Sequence, residues 1–235
     1  MAAQGNGEAP RVLLSLEEAR DLLLRSLAAD IKDTHVLEAM RRVPRERFVE
    51  PDMRPHAYSD RPLPIGFGQT ISQPRMVAIM LQELALQGDE KVLDLGSGSG
   101  YQTALLAELA KEVIAVELIP ELVERSRRVL LDLGYKNFIV HQAGEDLGWP
   151  KSAPYDAIVV AAAAPRVPMS LIEQLAEGGR MVIPVGGRGR QELMLVEQTR
   201  EGIRVSRRGG CGFVPLLGRE AFGRSDILSR QDLGT

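Results

Sequence analysis

The sequence predicts an α/β protein: a mostly parallel sheet flanked by helices, with antiparallel C-terminal strands and an N-terminal helical appendage. Three observations predict it. Between Lys91 and Val185, short apolar runs alternate with amphipathic helical stretches, the pattern of βαβ units. A glycine-rich turn, Gly96-Ser97-Gly98-Ser99-Gly100, joins the first of these strands to a helix. Beyond Val185, Glu192–Glu197 and Ile203–Ser206 flank a Glu201-Gly202 turn, which reads as a hairpin added at one sheet edge.

Taken in order, residues 1–10 are small and polar and read as a disordered leader. Residues 11–50 form the helical appendage. Ser15 with Glu18 is a capping-box pattern ahead of Leu22, Leu23 and Leu27, and a second helix runs from Thr34 to Val43, where Pro44 stops it. Residues 51–74 carry five prolines and two glycines without periodicity, and read as a long functional loop. Met76–Leu86 is helical, with Gly88 as its C′ residue. Strands follow at Lys91–Leu95, Glu112–Val116, Asn137–Val140, Asp156–Val160 and Arg180–Val185. Helices fall at Tyr101–Ala110, Pro120–Leu133 and Pro168–Ala176. Residues 11–218 make one domain, and 219–235 a polar tail.

Composition narrows the class. The 235 residues are 44% apolar and 26% charged with a net charge of −3, an ordinary globular balance that gives no global attraction to a polyanion. One cysteine, Cys211, excludes a disulfide framework and fits a cytoplasmic setting. No apolar run reaches the roughly 18–20 residues of a membrane helix, and the N-terminus lacks a secretory pattern. No His/Cys/carboxylate cluster has metal-ligand spacing, so no metal is expected.

The local chemistry points to a nucleoside. Glycines at 96, 98 and 100 let a ligand approach the backbone, and the helix that follows presents free N–H groups. Glu117 stands 21 positions after Gly96, at the end of the second strand, where a carboxylate can accept ribose hydroxyls. A dinucleotide loop is G-x-G-x-x-G. Here it is G-x-G-x-G with Asp94 two positions ahead, a form familiar from S-adenosylmethionine-dependent methyltransferases. A third contact is expected from Gln142-Ala143-Gly144-Glu145-Asp146, which reads equally well as a solvated acidic turn.

General bases are scarce, since His35, His56 and His141 are scattered. Ala161–Ala164 before Pro165 supplies neither amide nor ring for a flat base, which weakens nucleobase methylation. A carboxylate acceptor is ionised at neutral pH with no base, so orientation and water exclusion can suffice. Hydroxyl and amide donors in the Pro/Gly-rich stretch are Gln69, Thr70 and Ser72. On local pattern alone, Ser72 or Gln73 reads as a helix cap.

Several stretches resemble the protein-L-isoaspartate O-methyltransferase family: VPRERFV at 43–49, AYSDRPLPIGFGQTISQPRMVA at 57–78, VLDLGSGSGYQTALLA at 92–107, GWP at 148–150, AAAAPRVP at 161–168, GGRMVIPVG at 178–186 and GFVPLLG at 212–218. The 57–78 stretch is the most specific of them. The resemblance implies a Rossmann-like core, S-adenosylmethionine as donor and S-adenosylhomocysteine as product. The acceptor it implies is the free α-carboxylate of L-isoaspartyl residues in damaged proteins. The methyl ester then re-forms a succinimide, and hydrolysis returns some normal aspartyl. Partners implied are isoaspartyl proteins and peptides, with no nucleic acid and no membrane. By position, Ser72 matches the active-site serine. Thr70, Arg75, Asp94, Gly96, Ser97, Gly98, Ser99, Glu117, Leu118, Gly144 and Glu145 fall at the cofactor site. Ile65, Gly66, Gln69, Val214 and Leu217 fall where relatives close over the peptide. Relatives usually read G-D-G after the third strand, whereas Ala143-Gly144-Glu145 displaces the acid by one position. Alternatives remain: another acceptor, such as one particular peptide aspartate, a nucleic acid or a small molecule, or a cofactor-binding scaffold without turnover.

Overall fold

The computed structural model describes residues 14–187 and 189–223. The capping box forms as expected: Ser15 and Glu18 bond reciprocally ahead of α1 (Leu16–Leu27). Asp33 caps α2 (Thr34–Arg42) through the N–H groups of His35 and Val36. Two 3-10 turns, Arg45–Phe48 and Pro51–His56, lead to a small antiparallel hairpin of β1 (Leu63–Gly66) and β2 (Gln69–Ile71). Then come α3 (Pro74–Leu84), β3 (Lys91–Leu95), α4 (Tyr101–Leu109), β4 (Glu112–Glu117), α5 (Pro120–Asp132), β5 (Phe138–Gln142), β6 (Tyr155–Val160), α6 (Met169–Ile172), β7 (Leu175–Gly187), β8 (Arg190–Thr199) and β9 (Gly202–Cys211).

The main sheet has the order β5-β4-β3-β6-β7-β8-β9. β3 to β7 are parallel, and β8 and β9 are antiparallel additions. The period of two sorts the strand side chains. Val92, Val113, Ala115, Ala157 and Val159 pack in one core with apolar faces of α1 to α5. Leu93, Leu95, Ile114, Val116, Ile158 and Val160 pack in the other with Leu171 and Ile172 of α6 and Leu147 and Leu216. The N-terminal helices thus share one core with the sheet. Strand order reverses about β3, so β4 and β6 leave it on opposite sides. In open α/β sheets, the crevice at the carboxyl end of such a switch point is where ligands bind.

Three expectations need correction. Residues 51–74 are not a loop: proline and glycine hide a 3-10 turn and the β1–β2 hairpin. The hairpin tip needs its glycines, because Gly66, Phe67 and Gly68 all have positive φ (88°, 53°, 69°). The left-handed residue closing α3 is Ala85 (φ 52°), not Gly88, three residues beyond it. The helix expected over 168–176 spans only Met169–Ile172, because Leu175 already pairs with Tyr155. The leader at 1–10 and the tail beyond 223 lie outside the described residues. Among the described residues, no helix is long and apolar enough to cross a membrane.

Candidate active site

The carboxyl ends of β3, β4 and β6 open into one cleft. Its lining includes Leu95, Gly96, Ser97, Gly98, Ser99, Glu117, Leu118 and Ala161 from the strand ends, and Ile65, Gln69, Thr70, Ile71 and Ser72 from the hairpin and its exit. Ala143 to Leu147 and Val214 to Gly218 also line it.

Glu117 organises the side built by the glycine turn. It is 7% exposed. One carboxylate oxygen accepts the Gly98 N–H at 2.8 Å and the other the Ile119 N–H at 2.9 Å. The Gly96 and Ser97 N–H groups bond the Val116 carbonyl at 2.8 and 3.2 Å. The glycine turn is therefore fastened to the end of β4, and most of its own amides are already used. A carboxylate has about four acceptor positions, so two of those on Glu117 stay open. The hydroxyl of Ser97 is buried in this wall with no hydrogen-bond partner among the described residues. These two features suit a ligand carrying paired hydroxyls and a further polar group.

Asp94 supports the turn from beneath. It is fully buried, and its carboxylate accepts from Gln102 Nε2 at 2.8 Å and Thr103 Oγ1 at 2.6 Å. Burial, opposed by those two bonds and assisted by nearby Glu117, pushes its pKa up to about 6. With the native value above the unfolded one, the stability it contributes is complete below about pH 4 and is lost as pH rises through about 6. Asp94→Asn keeps the shape without the charge. Relative to wild type, that variant is expected to gain stability as pH rises from about 4.5 to about 7. The gain is on the order of 1–3 kcal/mol, since each pH unit between the native and unfolded pKa is worth about 1.4 kcal/mol. Melting curves at both pH values check this; a pH-independent gap would mean an ordinary carboxylate.

The hairpin side of the cleft carries Ser72. It sits between β2 and α3, and its hydroxyl makes no hydrogen bond among the described residues, while α3 has no side-chain cap. Of the two cap candidates, Gln73 holds the N-cap position of α3, and neither side chain makes a capping bond. The segment from Phe213 to Leu216 is held from two directions. Gln191 grips Phe213 through its N–H (2.7 Å) and carbonyl (3.0 Å). Ala163 bonds both Val214 and Leu216, each at 2.8 Å.

Fourteen of the sequence-predicted site residues line this one cleft: Ile65, Gln69, Thr70, Ser72, Gly96, Ser97, Gly98, Ser99, Glu117, Leu118, Gly144, Glu145, Val214 and Leu217. Three do not. Arg75 is placed elsewhere, because its guanidinium is committed to Asp30, Asp60 (3.0 Å) and Ser26 (2.9 Å) on the outside of α3. Asp94 lies under the turn rather than on its surface. Gly66 sits at the hairpin tip beside Glu50. Sequence reasoning misses Tyr101, Ile119 and Leu147, which also line the cleft, as does Asp146 from the stretch expected to give the third contact. An apolar residue directly after the acidic pair Glu145-Asp146 is the one available signal for Leu147.

The histidines stay out of the cleft. His35 and His56 are exposed, and His141 stacks on Trp149 at 3.9 Å, its pKa lowered by burial and by the charges of Arg127 and Lys151. Cys211 is half-buried, and burial with neighbouring Glu192 pushes its thiol up to about 11. No group of three or more potential metal ligands occurs among the described residues.

Known proteins resemble this chain in sequence and fold. The model of the family described as protein-L-isoaspartate(D-aspartate) O-methyltransferase matches residues 18–221. A protein-L-isoaspartate O-methyltransferase from Syntrophobacter fumaroxidans is 51% identical over 209 residues, covering 88% of this chain and 98% of that relative. One from Methanopyrus kandleri is 53% identical over 211 residues, covering 87% and 93%. A solved protein-L-isoaspartate O-methyltransferase superposes with a TM-score of 0.75 at 27% identity, over 86% of this chain; this chain spans 66% of that one. A Plasmodium falciparum structure assigned to the same enzyme, in complex with S-adenosyl-L-homocysteine, gives 0.72 at 28% identity, covering 83% of this chain and 96% of that one. A family match across nearly the whole described chain, and relatives sharing half its residues, place this chain in the protein-L-isoaspartate(D-aspartate) O-methyltransferase family.

Proposed function

We propose that this chain methylates the free α-carboxylate of L-isoaspartyl residues in damaged proteins and peptides, with S-adenosylmethionine as donor, and that Ser72 orients the acceptor. The observation that carries the reading is the cleft itself. A glycine turn fastened by Glu117 faces, across one gap, a serine hydroxyl with no other bond to make. The donor supplies an electrophilic methyl on a sulfonium. Glu117 would accept its ribose hydroxyls, and Ser97 and the free N–H groups at the start of α4 would meet its amino-acid end. Gly144, Glu145 and Asp146 border the same cleft on the side open to an adenine.

The residues of this chain then have an orienting task. Ser72 Oγ donates to one acceptor oxygen and leaves the other aimed at the methyl. A carbon–oxygen bond forms as the carbon–sulfur bond breaks, giving a methyl ester and neutral S-adenosylhomocysteine. No proton moves, which agrees with a cleft that holds no histidine. Val214 to Leu217 would close over the peptide and exclude water, which otherwise solvates the carboxylate and blunts its attack. Repair follows without the enzyme: the ester is a better leaving group than a carboxylate, so the succinimide re-forms and hydrolysis returns some normal aspartyl.

The experiment is an assay with labelled S-adenosylmethionine and paired isoaspartyl and aspartyl peptides. Transfer to the isoaspartyl peptide alone supports the reading, and equal transfer to both removes the specificity. Ser72→Ala is expected to lower kcat about tenfold to a hundredfold, the worth of one hydrogen bond to a charged acceptor, with donor affinity nearly unchanged. Unchanged turnover would remove Ser72 from the reaction.

Nucleic acid is not part of this reading. Of the seven arginines from 180 to 208, Arg180, Arg200, Arg207 and Arg208 are in ion pairs with Glu197, Glu177, Glu192 and Glu83. That breaks up the basic stripe a phosphate backbone would need. Salt-dependent retention on RNA would contradict this. The cytoplasm remains the setting that fits a half-buried free thiol.

A further inference from the structure

Arg45 is a charged side chain that the reaction scheme leaves without a task. It is fully buried, among the largest side chains to be so. It takes part in none of the ion pairs among the described residues. Its Nε donates to the Ala57 carbonyl at 2.8 Å and its Nη2 to the Ser72 carbonyl at 2.9 Å. The guanidinium lies over the Tyr101 ring, 4.8 Å from its centroid. Nη1 is buried with no hydrogen-bond partner. A buried cation without a carboxylate is costly, and burial lowers the pKa of this one. Apolar side chains would join the same segments at less cost.

We propose that Arg45 is a positioning residue for methyl transfer, locking the Ser72 main chain to Tyr101 so that acceptor and donor walls of the cleft stay in register. The inference rests on the methyltransferase reading above and adds to it a residue outside the cleft lining.

Three observations support it. Ser72 lies just past the last β1–β2 pair, Leu63 with Ile71, and before α3 begins at Pro74. Neither a ladder nor a helix fixes its peptide plane, so the bond from Arg45 does. Tyr101 is the first residue of α4, directly after the glycine turn, and lines the cleft. One planar group therefore touches both walls: the acceptor wall through a carbonyl, the donor wall through a ring. Phe48, one turn along the same 3-10 segment, meets Tyr101 edge-on at 5.6 Å and keeps the ring in place. Only a guanidinium can bond two carbonyls in its plane and stack by its face. In-line displacement depends on that register, since a misplacement of about 1 Å can cost on the order of a hundredfold in rate.

The test compares wild type with Arg45→Met, Arg45→Lys and Arg45→Ala in steady-state methylation of an isoaspartyl peptide. Rates are normalised to the folded fraction from melting curves and to S-adenosylhomocysteine sites counted by calorimetry. Arg45→Met is expected to lose kcat on the order of a hundredfold. Arg45→Lys, which cannot bond both carbonyls in one plane, is expected to lose about tenfold. S-adenosylhomocysteine affinity is expected to change less than about threefold in either, because the glycine turn and Glu117 are untouched. Added N-ethylguanidine should restore part of kcat to Arg45→Ala and none to Ser72→Ala. A purely structural role would lower the folded fraction and leave kcat per binding site at the wild-type value, and that result overturns the proposal. If Arg45→Met and Arg45→Ala do not fold, Arg45→Lys decides alone: wild-type kcat there also overturns it. A wild type inactive on the isoaspartyl peptide fells the functional reading first, and this inference with it; an active wild type beside unaffected variants fells the inference only.

Discussion

Glu117→Ala is expected to weaken S-adenosylhomocysteine binding by about a hundredfold or more. The carboxylate has two duties at once. It accepts the Gly98 and Ile119 N–H groups and so holds the glycine turn against β4. In the proposed reading it also offers its remaining lone pairs to the ribose. Hydrogen bonds to a charged group contribute roughly 1.5–3 kcal/mol each. Losing two ribose bonds therefore costs about 3–6 kcal/mol, and every 1.4 kcal/mol is about tenfold in affinity. The turn loosens as well, which adds an ordering cost on binding. Glu117→Gln is not conservative here, because its amide nitrogen must face an N–H that also needs an acceptor. It should lose most of the same affinity. Calorimetric titration of both variants measures this, and an affinity within a few-fold of wild type would take Glu117 out of the site.

Glu117 is legible in the sequence alone, and the reason is local. A strand end, a glycine turn and an acid one βα unit later lie close in sequence and are fixed by the geometry of parallel strands. The same holds for the β8–β9 hairpin, although its tip is Arg200-Glu201 rather than the expected Glu201-Gly202, and for α5, which starts on Pro120 and ends before Gly134 (φ 87°). What the sequence hides depends on contacts between distant residues. The resemblance puts Arg75 at the cofactor site, yet Asp30 and Asp60 draw it to the outside. No pattern near Arg75 shows that those two acids are its neighbours. Arg45 stands in the VPRERFV stretch at 43–49, where nothing nearby shows that folding buries it against Tyr101. The β1–β2 hairpin is hidden for another reason. Its pairing covers few residues and is interrupted between Pro64 and Gly66, so no periodicity survives in the sequence.

The glycines of the donor turn also differ from one another, and Gly100 should be the least replaceable. Its φ is +87°, which L-residues rarely adopt, and a Cβ there would stand 2.9 Å from Ser126 Cβ and 3.4 Å from Ser126 Cα. Neither partner can give way readily. The Gly100 N–H bonds the Ser97 carbonyl and its own carbonyl accepts the Ala104 N–H, both at 2.9 Å, so the residue is pinned between the turn and α4. Ser126 is fully buried on α5, with its hydroxyl on the Val123 carbonyl at 3.0 Å. Backbone strain of about 1–3 kcal/mol and overpacking of about 1–3 kcal/mol add to a loss of roughly 2–6 kcal/mol for Gly100→Ala. That is a large part of the stability of an ordinary domain. Gly134→Ala separates the two contributions, because Gly134 has the same φ of +87° with nothing within 4 Å of its Cβ position. Urea unfolding of both variants is expected to give a lower midpoint for Gly100→Ala at an unchanged slope. The gap between the two measures the collision with α5. Equal midpoints would mean that α5 yields freely, and that backbone conformation alone, without the close approach of the two helices, requires glycine at the end of the turn.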